Sequence, residues 1–216
     1  MIYAELHRNV ELALLEVVIN EVKLLKTIFL ICGRSASGKD RIVRTACKKY
    51  GYKQLKSYAT RPIRDDDEYD KDAHIFITPE ESSIIQSENQ ICAYTKIGQY
   101  EYFATLSQLK QCDVYIIDYD GIKSLKDKLH ATQEDIRLVT IYIFTDDATR
   151  EKRAIENRCD EQLVFYKRNY KENEQFNNLV YNMEFDYAIR NDNLDRSVYI
   201  LHHIMAAEKI DNWSIA

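Results

Sequence analysis

Apolar positions along the chain fall into short continuous runs that alternate with amphipathic segments. The runs, which are typical of buried strands, lie at residues 27–32, 113–118, 137–144 and 185–189. Apolar spacing typical of helices follows at 41–50, from about 121, at 148–158, 161–176 and 194–209. Strands that alternate with helices predict an α/β fold, with a parallel sheet flanked by helices on both faces. Ligands of such folds bind at the carboxyl ends of the strands.

The stretch between the first two core strands has a different pattern. Short β-like segments lie at residues 52–57, 74–77, 91–95 and 100–104, the last two joined around Gly98. Residues 79–88 predict a helix, because Pro79 followed by two glutamates favours a helix N-terminus. We expect a small mixed lobe at about 57–105, inserted between strands of the core.

The first 26 residues predict an amphipathic helix that precedes a main domain at 27–207. Leu6, Val10, Leu14 and Leu25 recur at near-helical spacing, with charged residues between them. We expect this helix to pack on the core or on a second subunit, in which case the protein forms a homodimer. Its uncharged runs are too short to span a bilayer, and the chemistry of a signal-peptide cleavage site is absent, so we expect no membrane partner.

Composition narrows the class of protein. The 216 residues are 45% hydrophobic and 30% charged, which is typical of a globular domain. The net charge of −5 argues against nucleic acid as a partner. Five cysteines occur without a Cys-x-x-Cys pair, which favours a reducing compartment, and we expect a cytoplasmic protein. Only five glycines occur, so two within one eight-residue loop are informative.

That loop lies between the first core strand and the first core helix. Its pattern, Gly-x-x-x-x-Gly-Lys, is typical of loops that hold phosphates with main-chain N–H groups, a helix N-terminus and a mobile lysine. The candidate phosphate-binding residues are Gly33, Arg34, Ser35, Ala36, Ser37, Gly38, Lys39 and Asp40. The alternative interpretation is a glycine turn before an ordinary helix.

Asp40 departs from the pattern, which has Ser or Thr after the lysine to bind Mg²⁺. A carboxylate is a suitable hard-oxygen ligand for Mg²⁺, but it also brings negative charge close to phosphates. Either Asp40, or a water on it, holds the metal, or nucleotide binding is impaired. The strand at 113–118 ends in a second candidate metal ligand, Asp118, as in strands that place a carboxylate near the metal of a phosphate site.

Two further clusters contain groups that bind phosphate. Ser57, Arg61 and Arg64 lie within eight residues at a strand end, where they could clamp a second phosphate group. A solvated charge cluster is the alternative. The helical segment at about 146–178 is rich in arginine and could close as a lid over a transferred phosphoryl group. Solvated helix faces with i,i+4 ion pairs would explain the same residues without a function.

Four segments, in this order, resemble the guanylate kinase family of nucleoside monophosphate kinases. They are the loop at 33–40, Ser-Tyr-Ala-Thr-Arg-Pro-Ile-Arg at 57–64, Ile-Ile-Asp-Tyr-Asp at 116–120, and Phe-Asp-Tyr-Ala-Ile-Arg-Asn-Asp-Asn-Leu at 185–194. The resemblance covers about residues 27–207. It implies a P-loop kinase fold with an inserted acceptor-binding lobe and a helical lid.

The resemblance also implies roles for the residues that match. The catalytic residues would be Lys39, Arg153, Arg158 and Arg168. The acceptor would be bound by Ser57, Arg61, Arg64, Tyr102, Asp118 and Asp120. The loop at 33–40 would hold the phosphates of ATP, and Asn191 would border its adenine. Asp40 and Asp118 would hold Mg²⁺.

Some family positions are not matched. The family's phosphate-binding tyrosine falls at Ala73, so Tyr69 or His74 would have to replace it. The glutamate that reads guanine has no counterpart, and Cys92 falls near its place. Asp40 instead resembles the Gly-Lys-Asp loop of the related ribose 1,5-bisphosphate phosphokinases.

The expected function is phosphorylation of GMP or dGMP by direct in-line transfer, with ATP and Mg²⁺ as cofactors and small-molecule nucleotides as partners. One alternative is a kinase of another phosphorylated acceptor, such as ribose 1,5-bisphosphate. The other is a non-catalytic phosphate-binding module of the same fold.

Overall fold

The computed structural model describes residues 25–63, 68–157 and 161–210. Arg64, Arg158 and most of the predicted N-terminal helix lie outside these ranges, so the roles proposed for them stay predictions. Lys26, the last residue of that predicted helix, already belongs to the first strand.

The described residues form eight strands and a set of helices. The strands are β1 (Lys26–Cys32), β2 (Ser57–Ala59), β3 (His74–Phe76), β4 (Ile91–Ile97), β5 (Tyr100–Thr105), β6 (Val114–Ile116), β7 (Ile136–Phe144) and β8 (Tyr187–Arg190). The helices are α1 (Lys39–Tyr50), α2 (Glu68–Ala73), α3 (Pro79–Glu88), α4 (Leu106–Gln111), α5 (Tyr119–Thr132), α6 (Asp147–Lys152), α7 (Gln162–Tyr181) and α8 (Leu194–Ile210), with a π-helical turn (Arg153–Asn157) directly after α6. None of these helices is apolar over a length that would cross a bilayer.

The core is a four-stranded sheet in the order β6-β1-β7-β8, with every pairing parallel. Leu30 in β1 lies opposite Tyr115 in β6 and Thr140 in β7. The residues of β1 from Ile28 onward are fully buried, because helices cover both faces of the sheet. The predicted α/β fold with a parallel sheet is confirmed.

The alternating side chains of β1 contribute to two hydrophobic clusters, one on each face. Phe29 and Ile31 pack in a cluster with side chains of α1 and α8, including Val43 and Leu201. Ile28, Leu30 and Cys32 belong to the opposite cluster, with α5 and the last part of α7. The helix that follows the loop at 33–38 is therefore fixed to the sheet by its apolar face.

A second sheet forms the mixed lobe that the sequence predicts. Its order is β3-β2-β5-β4, with β2 and β3 parallel and the other pairs antiparallel. α5 packs against β4 and so connects this sheet to the core. The N-terminus of α3 is capped by Thr78 and Glu81, which exchange side-chain to main-chain hydrogen bonds.

Several predicted boundaries differ from the structure. The strand predicted at 52–57 is wrong, because this segment runs along the edge of β6 and strand β2 begins only at Ser57. Leu55 donates its N–H to the carbonyl of Val114 at 2.8 Å. The six-residue helices α2 and α4 are absent from the prediction, since they are too short to show apolar periodicity. The helix predicted at 148–158 ends at Lys152 and continues as the π-helical turn.

Candidate functional site

A cleft of about 900 Å³ lies between the ends of the core strands and the second sheet. It is lined by the loop after β1, by residues of β2 and β5, by the residues after β6 and β8, and by α7. The predicted site residues that line it are Gly33, Ser35, Ala36, Gly38, Lys39, Asp40, Ser57, Arg61, Tyr102, Asp118, Asp120, Arg153, Arg168 and Asn191. Arg34 and Ser37 belong to the same loop without lining the cleft.

The loop after β1 is tightly folded against β7. A Cβ added at Gly33 would lie 2.4 Å from the carbonyl oxygen of Ile143, so only glycine fits there. Ala36 and Gly38 adopt left-handed backbone conformations, with φ of 59° and 85°. Left-handed residues between ordinary ones are typical of main-chain anion-binding nests. α1 begins immediately afterwards, and its N-terminus adds positive potential at the cleft.

The carbonyl oxygen of Ser37 anchors this loop. It accepts hydrogen bonds from Asn191 Nδ2 at 2.7 Å, Thr145 Oγ1 at 3.0 Å and an Arg153 terminal nitrogen at 3.3 Å. Asn191 is buried, and its amide donates to the loop; its place beside adenine, which the resemblance implies, stays a prediction. Burial lowers the pKa of Arg153, and the charge of Asp146 opposes that shift.

The lysine and the aspartate that begin α1 lie beside each other. Lys39 Nζ is 3.8 Å from Asp40 Oδ2, and the side chain of Asp40 is 55% exposed. Asp40 is therefore accessible to a metal ion, and its carboxylate partly neutralises the lysine.

At the other end of the cleft, Arg61 is buried and forms a two-point ion pair with Asp70. One terminal nitrogen lies 2.6 Å from Asp70 Oδ2 and also donates to the carbonyl of Pro62 at 3.0 Å, while the other nitrogen donates to Asp70 Oδ1. Burial favours a lower pKa for Arg61, but Asp70 and Tyr102 outweigh it and raise the pKa above its ordinary value. Arg61, one of the residues predicted to clamp a phosphate, therefore already holds a carboxylate.

Ser57 and Tyr102 lie next to this ion pair. The Ser57 hydroxyl is 2.9 Å from Nδ1 of His74, whose ring lies edge-on to Tyr102 with centroids 5.7 Å apart. Tyr115 also forms a side-chain hydrogen bond with Ser57, and burial raises the pKa of the Tyr115 phenol. Of the two predicted substitutes for the family's tyrosine, His74 lines the cleft, while the side chain of Tyr69 is outside the described part of the chain.

Asp118 and Asp120 follow β6 and differ in their surroundings. Asp118 caps α5, because its Oδ1 accepts from the Gly121 N–H at 2.7 Å, and it also accepts from Thr95 Oγ1 at 2.9 Å. Burial raises the pKa of Asp118, although these hydrogen bonds oppose the shift. Asp120 is exposed and accepts a hydrogen bond from Gln175 Nε2 at 2.7 Å.

The predicted lid is attached to the loop after β1 by a buried arginine. Arg150 is 1% exposed, and its guanidinium donates to the carbonyl of Ser35 at 3.2 Å. The same group donates to Asp147 at 2.6 Å and to Asn169 of α7 at 2.7 Å. A single guanidinium therefore joins the loop, α6 and α7.

Arg168, a predicted lid arginine, is paired with another residue of α7. Its Nε donates to Glu172 Oε1 at 3.1 Å. The Glu172 carboxylate in turn accepts from the main-chain N–H of Ser35 at 2.7 Å and from the Ser35 hydroxyl at 2.5 Å. A carboxylate of the chain therefore lies on the loop predicted to hold phosphates.

The donor set fits a magnesium ion that is bound together with phosphates. Within the described residues, no three His, Cys, Asp or Glu side chains are grouped as a metal site. Mg²⁺ usually keeps several waters and binds one or two carboxylates plus substrate phosphates. Asp40 and Asp118 both line the cleft and meet that requirement.

Three residues that contact the site were missed in the sequence. Asp70 lies in an acidic run, in which no pattern identifies the carboxylate that pairs with Arg61. Arg150 is one of several arginines in the predicted lid, and its burial is a tertiary effect. Glu172 follows Arg168 at i+4, which predicts their pairing, but its contact with Ser35 spans 137 residues.

Comparison with known proteins gives one consistent result. The family model described as Guanylate kinase matches residues 24–208. The guanylate kinase of Coxiella burnetii is 28% identical over 192 residues, which cover 85% of this chain and 88% of that protein. The guanylate kinase of Thermotoga maritima is 28% identical over 194 residues, covering 84% and 87%.

A solved structure resembles the fold as well. The guanylate kinase from Anaplasma phagocytophilum superposes with a TM-score of 0.58 at 17% identity, covering 86% of this chain and 87% of that one. At this identity the likeness shows a shared fold.

Proposed function

Because the chain belongs to the guanylate kinase family, we propose that it is a nucleoside monophosphate kinase that phosphorylates GMP or dGMP with Mg-ATP. One observation carries the proposal: Lys39 of the phosphate loop and Arg61, which follows β2 of the second sheet, line the same cleft. A donor triphosphate on the loop and an acceptor monophosphate near Arg61 would then meet in one cavity. The guanine base is proposed from the relatives' names, since none of the described side chains that line the cleft identifies the base.

The chemistry needs positioning and charge more than covalent groups. An oxygen of the acceptor monophosphate would attack the γ-phosphorus as the bond to the bridging oxygen breaks, and ADP would leave with that oxygen. The loop N–H groups and Lys39 would hold the donor phosphates, while Arg153 and Arg168 would stabilise charge on the transferred group. Mg²⁺, held by Asp40 and Asp118 together with the phosphates, would neutralise part of the same charge.

A second acceptor is favoured by the residues around Cys92. Its thiol points to the carbonyl of Ala104 at 3.4 Å, and burial raises its pKa to about 12. Ala93, which follows it, lines the cleft without a polar side chain. A base-reading carboxylate is therefore missing at this place, and ribose 1,5-bisphosphate or another phosphorylated sugar is the alternative acceptor.

An acceptor panel tests the proposal. ADP release is measured with GMP, dGMP, AMP, UMP and ribose 1,5-bisphosphate, and we expect the highest kcat/KM with GMP or dGMP. Lys39→Ala should lower turnover by about 100-fold or more, the effect of losing one transition-state contact. Lys48→Ala removes an exposed lysine from the same helix and should retain activity. A preference for the sugar bisphosphate would select the alternative, and full activity of Lys39→Ala would contradict the mechanism.

A further inference from the structure

The contact between Glu172 and Ser35 places a negative charge on the phosphate loop. Both carboxylate oxygens are used: one accepts from the Ser35 main-chain N–H at 2.7 Å, the other from its hydroxyl at 2.5 Å. The Glu172 side chain is only 14% exposed. Both Ser35 and Glu172 line the cleft, so the contact lies within the cavity proposed for the substrates.

Neighbouring residues of α7 also hold the helix against the site. Asn169 accepts from Arg150, and Gln175 donates to Asp120, each at 2.7 Å. Asn177 accepts from Arg34, also at 2.7 Å. Glu172 is therefore part of a row of polar contacts along α7 and not an isolated side chain.

The two oxygens of the Glu172 carboxylate bind Ser35 as two oxygens of a phosphate group would. The Ser35 N–H and hydroxyl are donors, and a carboxylate or a phosphate satisfies them equally. Two anions cannot occupy these donors at the same time. The Glu172 carboxylate also accepts a hydrogen bond from Nε of Arg168 at 3.1 Å. It is therefore bound to donors of the loop and to a predicted lid arginine at the same time.

We propose that Glu172 is an internal competitor for the donor triphosphate, displaced from Ser35 when phosphate binds. This inference rests on the proposed kinase function. Displacement breaks the Glu172–Ser35 contact and removes the anchor that keeps Arg168 on its own helix. Phosphate binding is thereby coupled to release of Arg168 towards the transferred group. Glu172 thus sets the affinity for the triphosphate, while its effect on the chemical step is secondary.

The test compares two glutamates of the same helix. Glu172→Ala removes the competitor, and Glu174→Ala removes an exposed carboxylate two residues away, so the change in net charge is matched. Binding of Mg-ATP and of inorganic triphosphate is measured by calorimetry, and kcat and KM for ATP by ADP release. We expect Glu172→Ala to bind both probes roughly tenfold more tightly or better, since charge-assisted hydrogen bonds no longer have to be broken.

Further outcomes separate this inference from the kinase assignment. Glu174→Ala should leave both affinities unchanged. Glu172→Gln keeps the side-chain size and should give a smaller gain in affinity than Glu172→Ala. It replaces Glu172→Ala in the test if that variant fails to fold. Unchanged or weaker binding by the Glu172 variants, with wild-type protein that binds ATP, overturns the internal competitor alone. Tighter binding of ATP without tighter binding of inorganic triphosphate also overturns it. If neither wild-type protein nor the variants bind either probe, the kinase function fails as well.

Discussion

Among single residues, Asp118 combines a proposed role in the site with an unfavourable position for its charge. Its carboxylate lies at the end of β6, where burial raises its pKa. Gly121 and Thr95 donate to Oδ1 and offset part of that effect. The folded protein therefore holds this proton more tightly than the unfolded chain does. Folding is favoured by the group below about pH 4, the ordinary aspartate pKa, and the contribution is lost as pH rises through the raised folded pKa.

Asp118→Asn should stabilise the fold at neutral pH while lowering kinase activity. Asparagine keeps an Oδ1 acceptor for Gly121 and Thr95 but carries no charge, so the desolvation cost is removed. We expect the melting temperature at pH 7 to rise by about 2–4 °C, the response of a protein of this size to roughly 1 kcal/mol. The gain should shrink as the pH is lowered towards 4, where wild-type Asp118 takes up its proton.

Asp127→Asn is the control for this prediction. Asp127 is an exposed carboxylate on the same helix, and its replacement should change stability by less than about 0.5 kcal/mol. A lower melting temperature for Asp118→Asn at pH 7 would contradict this prediction. It would mean that the hydrogen bonds to the carboxylate stabilise the fold by more than desolvation of its charge destabilises it.

At the same scale, the sequence identifies residue types better than it identifies roles. The lid arginines look alike in the sequence, yet Arg150 is buried against Ser35 and Arg168 is 47% exposed. Arg61 was predicted from its place at a strand end, and it does line the cleft. Its guanidinium is paired with Asp70 of α2, nine residues further along the chain, and no local pattern identifies that partner.

Among the elements, α1 is bounded by two glycines in the same backbone conformation. Gly38 at its N-terminus has φ of 85° and Gly51 at its C-terminus has φ of 76°. Their surroundings differ. A Cβ at Gly38 would lie 2.3 Å from Asn191 Nδ2, whereas nothing lies within 4 Å of a Cβ at Gly51. An alanine at Gly51 would cause backbone strain alone, whereas an alanine at Gly38 would cause the same strain and a steric clash.

Gly38→Ala should lower kcat by about 100-fold, while Gly51→Ala should leave it within about twofold of wild type. Both substitutions place alanine in the left-handed region, at a cost of about 1–2 kcal/mol each. Only the first also pushes Asn191 away from the Ser37 carbonyl, and misplacing a catalytic loop by about 1 Å is enough for a 100-fold loss. ADP-release kinetics and thermal unfolding of both variants measure this. Equal loss of activity in the two variants would contradict a specific role for the Asn191 contact.

Elements were predictable where burial is continuous over several residues. β1 and β7 are long apolar runs, and their positions follow from the sequence because strands buried on both faces need no polar side. β2 has only three residues, and its start is set by pairing with β3 and β5, so its boundary was misplaced. α4 was missed although Thr105 and Gln108 form a capping box at its start, a pattern that is visible in the sequence.

At the scale of the whole molecule, the decisive feature is that residues of both predicted anion sites line one cleft. The sequence predicts each site separately, since the loop at 33–40 and the strand end at Ser57 and Arg61 have local patterns. Their meeting depends on α5, which packs the second sheet against the core. The resemblance to a known family supplied that arrangement, whereas periodicity and spacing could not, because they describe only one element at a time.

The shared cleft predicts strong binding of a ligand that spans both sites. A dinucleoside pentaphosphate, with adenosine and guanosine joined by five phosphates, would place one end on the loop near Lys39 and the other near Arg61. Because the second contact is then intramolecular, we expect it to bind at least about 100-fold more tightly than ATP in calorimetry. Adenosine pentaphosphate, which has the same phosphate chain without guanosine, should gain much less. If the dinucleoside binds no better than ATP, the two sites do not act on substrates held at the same time, and direct transfer between them is excluded.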